Sequence, residues 1–360
     1  MQNSQFSTGR EWFERLFGIR EDPLHAYDSF ECTEEKDTAI LHSKANNKTF
    51  KAGNFQVRNV SSFNHLLSNP RNGGKLFLIK GNGSMSKHFE LIDVLENQGL
   101  PENDGATYLA ASNFNCLEFV GAGQSAQDGV TNYVYDQTQG PYCSLGSGPA
   151  IVYRNYFVKH PTGEIGQFTR EVELLSKTPI TVVHGYPKIY ETKSLEKIDF
   201  DWTNPDNYPV GVHRNCQLTM SRNRDGFYFI DEKEDRIVHH IFAAAFNFAG
   251  TVVYNKFTQM VSKNMLAAEY RGAILGAWEN SLMFPNRKGS NKLYLTLLGG
   301  GVFNNPHEII YGAIKENIDL IIMSGLDVYV VCFSPRDFSE VNGVLGEYVE
   351  KTGGKIIETN

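Results

Sequence analysis

The last third of the chain alternates helix-like and strand-like stretches without a break, and this rhythm constrains the fold more than any single motif. Lys256 to Glu279 carries Phe257, Val261, Met265, Ala268 and Leu275 near one face of a long helix. Leu293 to Leu298 then reads as a strand, Pro306 to Asp319 as a helix and Asp327 to Phe333 as a strand. Phe338 to Lys351 is a helix with Val341, Leu345 and Tyr348 in register, and Lys355 to Glu358 closes as a strand. Strands separated by helices need crossovers rather than hairpins. Such crossovers are right-handed and leave a largely parallel sheet covered on both faces. The expected class is α/β.

The same rhythm starts at Lys75. Leu76 to Ile79 is a short apolar run, and Gly81-Asn82-Gly83 turns the chain. Ser84 or Ser86 can cap a helix on which Phe89, Ile92 and Leu95 recur, with Gly99 placed to stop it. Ala106 to Ala110 follows as a buried strand. Residues 1–70 have another texture, an amphipathic start (Trp12, Phe13, Leu16, Phe17, Ile19) and then turn-rich sequence. They read as an N-terminal extension packed on a main domain of residues 71–360. Residues 150–235 read as a β-rich elaboration of that domain. Ile151 to Val158 and Gln167 to Leu175 flank Pro161-Thr162-Gly163, and Cys216 to Met220 and Phe227 to Ile230 flank Arg224-Asp225-Gly226, two hairpin candidates.

Composition narrows the function classes. The 360 residues are 41% hydrophobic and 21% charged, as in ordinary globular chains. With 34 Lys and Arg against 41 Asp and Glu, the formal net charge is −7. A general polyanion binder needs a basic face, so neither nucleic acid nor an anionic membrane is an expected partner. Cys32, Cys116, Cys143, Cys216 and Cys332 are scattered, with no CxxC pair. A reducing compartment is the simpler reading, and no zinc ribbon is expected. The opening MQNSQFSTGREWFERLFG lacks the build of a signal peptide. Apolar runs such as IFAAAF fall far short of the ~20 residues that span a bilayer. A cytoplasmic protein is expected.

In a doubly wound sheet, ligands bind outside the carboxyl ends of the strands, so the residues after each strand carry the search. After Leu298 comes Gly299-Gly300-Gly301-Val302-Phe303-Asn304-Asn305-Pro306, leading into a helix. Three glycines let backbone N–H groups approach an anion, and the helix N-terminus adds its dipole. The alternative is a tight strand-to-helix turn. The run lacks the Gly-Lys-Ser/Thr of a Walker A loop and the GxGxxG fingerprint.

After Ala111 comes Ser112-Asn113-Phe114-Asn115-Cys116-Leu117-Glu118, whose amides and carboxylate suit sugar hydroxyls or, equally, a capped polar turn. Asp128 and Asp136 follow in the segment richest in small polar residues. On a helix their spacing turns about 80° beyond two full circles, so both could edge one groove. Paired carboxylates suit glycosidic chemistry, although Asp128-Gly129 is also an ordinary turn pair or N-cap. Phe333, at a strand end, could stack on a flat base or serve the core. His239-His240 lies in an apolar strand-like run and reads as structural, and Ser125 lacks GxSxG context.

These features fall in an order that resembles the macrodomain family, α/β/α modules that bind ADP-ribose. The order runs from a strand into Gly81-Asn82-Gly83, to a strand into Ala110-Ala111-Ser112-Asn113, to a Gly-rich segment, to a strand into Gly299 to Phe303. The resemblance implies a three-layer α/β/α fold with a mixed, largely parallel sheet. It implies that Gly299, Gly300, Gly301 and Val302 wrap the diphosphate, Phe303 lies against the distal ribose, Asn304 is a further ligand contact, and Phe333 stacks on adenine. The stretch Ser112 to Glu118 with Asp128, Asp136 and Thr138-Gln139-Gly140-Pro141 is most similar to a divergent branch, the MavL-like ADP-ribosyl-ubiquitin hydrolases. From that similarity Asp128 and Asp136 are the expected catalytic residues, with Asn113 and Asn115 lining the ribose side and Glu118 a further ligand contact. The implied activity is removal of mono-ADP-ribose from a protein side chain, arginine on ubiquitin by analogy, without metal or cofactor. The expected partners are ADP-ribose and ADP-ribosylated protein, in the host cytosol if the chain is a secreted effector. Asn82 replaces the acidic residue that often contacts adenine. The paired-glutamate signature of poly-ADP-ribose glycohydrolases is absent, so polymer cleavage is not expected. The alternative is a non-catalytic ADP-ribose reader.

Overall fold

A computed structural model of the chain describes residues 8–119 and 121–360. The first seven residues of the opening read for a leader lie outside the described residues. The chain opens with α1 (Trp12–Phe17) and the single turn α2 (Ala26–Ser29), followed by β1 (Phe30–Glu34), β2 (Ala39–Ser43) and β3 (Thr49–Arg58). Next come α3 (Asn64–Leu67), β4 (Lys75–Lys80), α4 (Val94–Gly99), β5 (Thr107–Ala111), α5 (Gln139–Leu145) and α6 (Gly148–Val152). A miniature hairpin of β6 (Val182–Val183) and β7 (Tyr186–Pro187) precedes β8 (Val210–Gln217) and the hairpin of β9 (Met220–Asn223) and β10 (Gly226–Phe229). The last third runs β11 (Ile237–Ala243), α7 (Lys256–Met283), β12 (Lys292–Leu295), α8 (His307–Lys315) and α9 (Ile318–Ser324). It ends with β13 (Asp327–Cys332), α10 (Pro335–Lys351) and β14 (Ile356–Glu358).

One ten-stranded sheet in the order β1-β2-β3-β8-β11-β5-β12-β13-β4-β14 organises the molecule. The pairings from β1 to β11 are antiparallel and those from β11 to β14 are parallel. This is an α/β fold on a mixed sheet. Right-handed crossovers put α7 to α10 on one face and α4 to α6 on the other. Capping chemistry starts the long helices. Asn255 and Thr258 form a reciprocal box at α7, as do Ser334 and Asp337 at α10. Among the described residues no helix is long and apolar enough to cross a membrane.

Alternation along β13 shows how the sequence builds the site. Val328, Val330 and Cys332 are buried under the α7–α10 layer, so Tyr329, Val331 and Phe333 point to the opposite face. There Tyr108, Tyr294, Tyr329 and Phe77 stack across four adjacent strands, with ring centroids 4.9, 4.8 and 4.7 Å apart. Each such pair adds about 0.5–1.5 kcal/mol beyond area burial. The ladder makes a flat floor that the six-residue α4 only partly covers.

Several expected elements differ. The first 70 residues supply β1 to β3, which extend the central sheet through β3 and β8. Ile151 to Val158 is helical, passing from α6 into a π-helical turn at Tyr153–Phe157. Every residue from Gly148 to Val158 is buried, so no face-to-face alternation marks its period and its β-branched and aromatic content misleads. Gln167 to Leu175 forms no strand, and only the bridge between Lys159 and Ile165 remains of that hairpin. The Arg224-Asp225 turn does join two paired strands. The helix expected after Ser84 starts late, because Asp93 caps α4 through the Glu96 amide at 2.8 Å. Ser86 instead accepts from the Asn82 amide at 2.7 Å. Residues 306–319 break at Asn317, whose amide donates to the Ala313 and Ala267 carbonyls at 2.9 and 3.0 Å.

Candidate functional site

The cleft exists because two parallel strands part. β12 pairs with β5 only at Leu293–Thr107 and Tyr294–Tyr108. Beyond that point the Leu109 carbonyl and Ala111 amide are met by the Gln139 side chain, at 2.8 and 2.9 Å. Gln139 thus copies the missing strand with one amide group and props the carboxyl ends of β5 and β12 apart. This is the crevice where α/β sheets bind ligands.

Two lobes meet at Thr138, Gln139, Thr296 and Gly301. One is a mainly apolar slot of about 400 Å³ over the aromatic floor, walled by Leu91, Ile92, Val331 and Phe333. Phe333 is 50% exposed, so its ring is not spent on the core. Asp93 lines this slot too, but Arg222 holds its carboxylate in a two-pronged ion pair. The other lobe, about 580 Å³, is lined by Asn113, Asp136, Tyr186, the Ala243–Ala245 segment and the Gly-rich loop.

Gly299 has φ +71°, and a Cβ there would meet the Asn305 side chain at 2.4 Å, so only glycine fits. Asn305 is buried, bonds the Phe246 carbonyl at 2.7 Å and accepts from Ser262 at 3.1 Å. It ties the loop to the ends of β11 and α7. No described residue accepts from the amides of Gly301, Val302 or Phe303. Val302 is 76% exposed, while Phe303 leans edge-on against Tyr186 at 6.0 Å. Gly299, Gly301, Val302 and Phe303 line the polar lobe. Gly300 and Asn304 do not. Gly300 turns its carbonyl toward His307, and Asn304, with φ +55°, lines a separate hollow beside His307 and Arg336.

Of the two expected carboxylates, only Asp136 lines the cleft. It is half-buried at the end of the 3-10 helix Thr131–Tyr135 and accepts from the Thr138 amide at 2.9 Å. Asp128 is exposed and closes a capping box with Ser125, accepting its amide at 2.7 Å. The segment is 3-10 rather than α-helical, so the groove geometry expected from α-helical spacing does not form. Asn113 faces the polar lobe and donates to the Phe119 carbonyl at 2.9 Å. Asn115 is buried away from it, donating to Glu171 at 3.3 Å and accepting from the Leu117 amide at 3.1 Å.

Glu118 reaches the lobe wall, but both its oxygens accept from Arg154 Nη2, at 3.1 and 3.0 Å. Burial pushes this carboxyl up, against the pull of the Arg154 guanidinium. Beneath the Ala243–Ala245 segment lies Glu269, which burial holds well above the carboxylate range. Its single donor among the described residues is the Ala244 amide at 3.3 Å. His239 and His240, both buried on β11, are pushed down to about 3 by burial and stay neutral. Among the described residues no group of three or more His, Cys, Asp or Glu could hold a metal ion.

Reading the sequence as strand ends missed Tyr186 and the cleft role of Gln139 as site residues. Tyr186 arrives on β7, out of a stretch with no regular pattern, and donates to the Phe119 carbonyl at 2.9 Å. Nothing in its local sequence marks it. Gln139 sits one residue before Gly140-Pro141 at a helix start, a position that could have drawn attention.

No protein-family model and no curated protein sequence matches the chain. Solved structures are similar at low identity. Poly(ADP-ribose) glycohydrolase from Deinococcus radiodurans, in complex with ADP-ribose, is 14% identical with a TM-score of 0.41, covering 81% of this chain and 94% of that one. The Thermomonospora curvata enzyme of the same name is 9% identical with a TM-score of 0.40, covering 96% and 100%. A macrodomain variant from Oceanobacillus iheyensis with ADPR is 15% identical with a TM-score of 0.36, covering 82% and 100%.

Proposed function

We propose that the chain is a macrodomain-type ADP-ribosyl hydrolase that releases mono-ADP-ribose from a protein side chain. Arginine as the modified residue, and ubiquitin as its carrier, follow from the MavL-like sequence resemblance. The observation that carries the reading is the order of chemistries along one cleft. An apolar slot ends at a half-exposed aromatic, a loop of unpaired amides follows, and a carboxylate and an amide side chain lie beyond it. A base, a diphosphate and a distal ribose need those surroundings in that sequence. The loop amides bind the dianion through local dipoles, so the net charge of −7 is no obstacle.

In this reading Asp136 is the catalytic carboxylate. It accepts a proton from a water that attacks the anomeric carbon of the distal ribose, and it stabilises the oxocarbenium-like charge as the glycosidic bond opens. The departing guanidine takes up the proton, so charge and atoms balance. Asn113 orients the ribose hydroxyls. Asp128 acts at a distance by holding the 125–129 turn.

The second reading, a non-catalytic reader, has one observation in its favour. Of the carboxylates lining the two lobes, Asp93 and Glu118 are engaged by arginines, which leaves Asp136 without a partner acid. Calorimetric titration with ADP-ribose against ADP, followed by chromatography of ADP-ribose released from an arginine-modified peptide, tests both. Preference for ADP-ribose with release supports the hydrolase, and preference without release supports the reader. Equal binding of ADP would remove the distal ribose from the account.

A further inference from the structure

The N-terminal segment reaches the wall of the cleft chiefly through the Glu21 carboxylate. Glu21, just past α1, accepts from the Val130 amide at 2.8 and 2.9 Å, the Thr131 amide at 2.7 Å, the Thr131 hydroxyl at 2.6 Å and the Tyr156 hydroxyl at 2.6 Å. Trp12 of α1 adds a bond from its indole nitrogen to the Thr131 carbonyl at 3.0 Å. Gly129 permits the approach, since a Cβ there would lie 2.6 Å from the Glu21 carboxylate. From Thr131 the backbone runs straight into the 3-10 helix Thr131–Tyr135, with Asp136 at its end. The Asp136 amide donates to the Tyr133 carbonyl at 3.2 Å. The Tyr133 hydroxyl in turn accepts from the Glu118 amide at 2.9 Å. The path from Glu21 to Asp136 is thus continuous and hydrogen-bonded at each step.

We propose that Glu21 is a positioning residue that sets the place of Asp136 in the cleft, a role that rests on the hydrolase reading above. Each oxygen of the Glu21 side chain accepts from a backbone amide, a group that can only donate: Val130 on one and Thr131 on the other. Charge-assisted bonds of this kind are roughly twice as strong as neutral ones. An amide in its place would turn its own N–H groups against those donors. The strand-forming segment at the start of the chain therefore also fixes the catalytic loop.

The test is Glu21→Gln, which keeps the volume of the side chain, measured beside Tyr156→Phe, which removes one donor and leaves the carboxylate. Turnover on an arginine-ADP-ribosylated peptide, ADP-ribose affinity and amide hydrogen exchange are followed in each. The expected result for Glu21→Gln is a kcat lower by about 100-fold, the scale of a misplaced reacting group, with ADP-ribose affinity nearly unchanged. Exchange at Val130, Thr131 and Asp136 should rise while the central strands stay protected. Tyr156→Phe should keep most of the turnover. Wild-type kcat in Glu21→Gln would overturn the proposal, and so would a global loss of protection with kcat and affinity falling together. Should the wild type itself release nothing, the hydrolase reading fails. Exchange then decides the brace alone, and unchanged protection at Val130 and Thr131 would refute it.

Discussion

The two walls of the cleft are built in opposite ways. The 125–140 wall is stitched down along its length: Ser125 and Asp128 cap each other, Glu21 and Trp12 hold Thr131, and Gln139 is bonded to β5. The Gly299–Phe303 wall is held through Asn305 at its root and through its carbonyls, Phe303 by the Phe248 amide at 3.0 Å and Gly300 by His307, while the amides of Gly301, Val302 and Phe303 have no described acceptor. A wall whose polar groups are already satisfied has little to offer a ligand but holds a reacting group still. A wall with unsatisfied amides gains most when an anion arrives. Affinity and chemistry are therefore expected to separate, one to each wall.

Asp136→Ala is the sharpest way to break that division. Its expected effect is a loss of about 10²–10⁴ in kcat, the worth of a positioned general base, with ADP-ribose affinity largely kept. Calorimetry and single-turnover release on the same preparation check it, and parallel losses in both would erase the contrast between the walls.

Gly299→Ala strikes the other wall. With φ +71° and the Asn305 contact, the substitution should cost about 1–3 kcal/mol in backbone strain and weaken ADP-ribose binding. Thermal unfolding and calorimetry read the two terms, and unimpaired binding would mean that the loop does not hold the diphosphate. Phe333→Leu keeps an apolar surface in the slot and removes the aromatic face. A loss of about 0.5–1.5 kcal/mol in ADP-ribose affinity, with turnover at saturation unchanged, is expected.

The smallest effect concerns pH. His307 bonds Glu340 and turns toward the Gly300 carbonyl at 3.3 Å, bracing the glycine loop from behind. Burial works against the charged imidazole, but Glu340 and the Gly300 carbonyl outweigh it and raise its pKa. Glu340 is held down to about 2 by its hydrogen bonds to His307 and Arg336. A raised histidine stabilises the fold fully below its ordinary value of about 6.5, and that contribution is lost as pH rises through the folded value. A depressed carboxylate contributes above its ordinary value of about 4.3, losing the contribution as pH falls toward 2. The melting temperature of the wild type should exceed that of Glu340→Gln most between about pH 4.5 and 6.5, and the gap should narrow toward pH 8.5. A gap independent of pH would show that His307 carries no charge there.

Much of the parallel half was readable in advance. α7, β12, β13, α10 and β14 fall close to where the sequence pattern put them, and the trace is most regular where one face is buried, as in the alternation along β13 and the Val341, Leu345 and Val349 stripe of α10. Gly148 to Val158 shows the converse. Buried on all sides, it has no face to report, and its buried Arg154 gives no sign of pairing with a residue 36 positions away. Phe333 and most of the glycine loop, singled out as strand-end residues, do line the cleft, because strand ends and glycines act locally. Asn115 misled because an amide in a polar loop can face either way, and here it turns inward to Glu171.

The sequence alone determined that the chain is an α/β protein and that residues following β5, β12 and β13 line its cleft, since periodicity and backbone freedom are properties of neighbouring residues. The tertiary structure decided the rest. It chose Asp136 over Asp128 for the cleft, brought Tyr186 in from an irregular stretch and set Glu21 beneath Thr131. It also placed Gln139 in the gap between two parting strands. Each of these rests on hydrogen bonds or packing between segments that meet only once the sheet has assembled, and no local pattern records such a meeting.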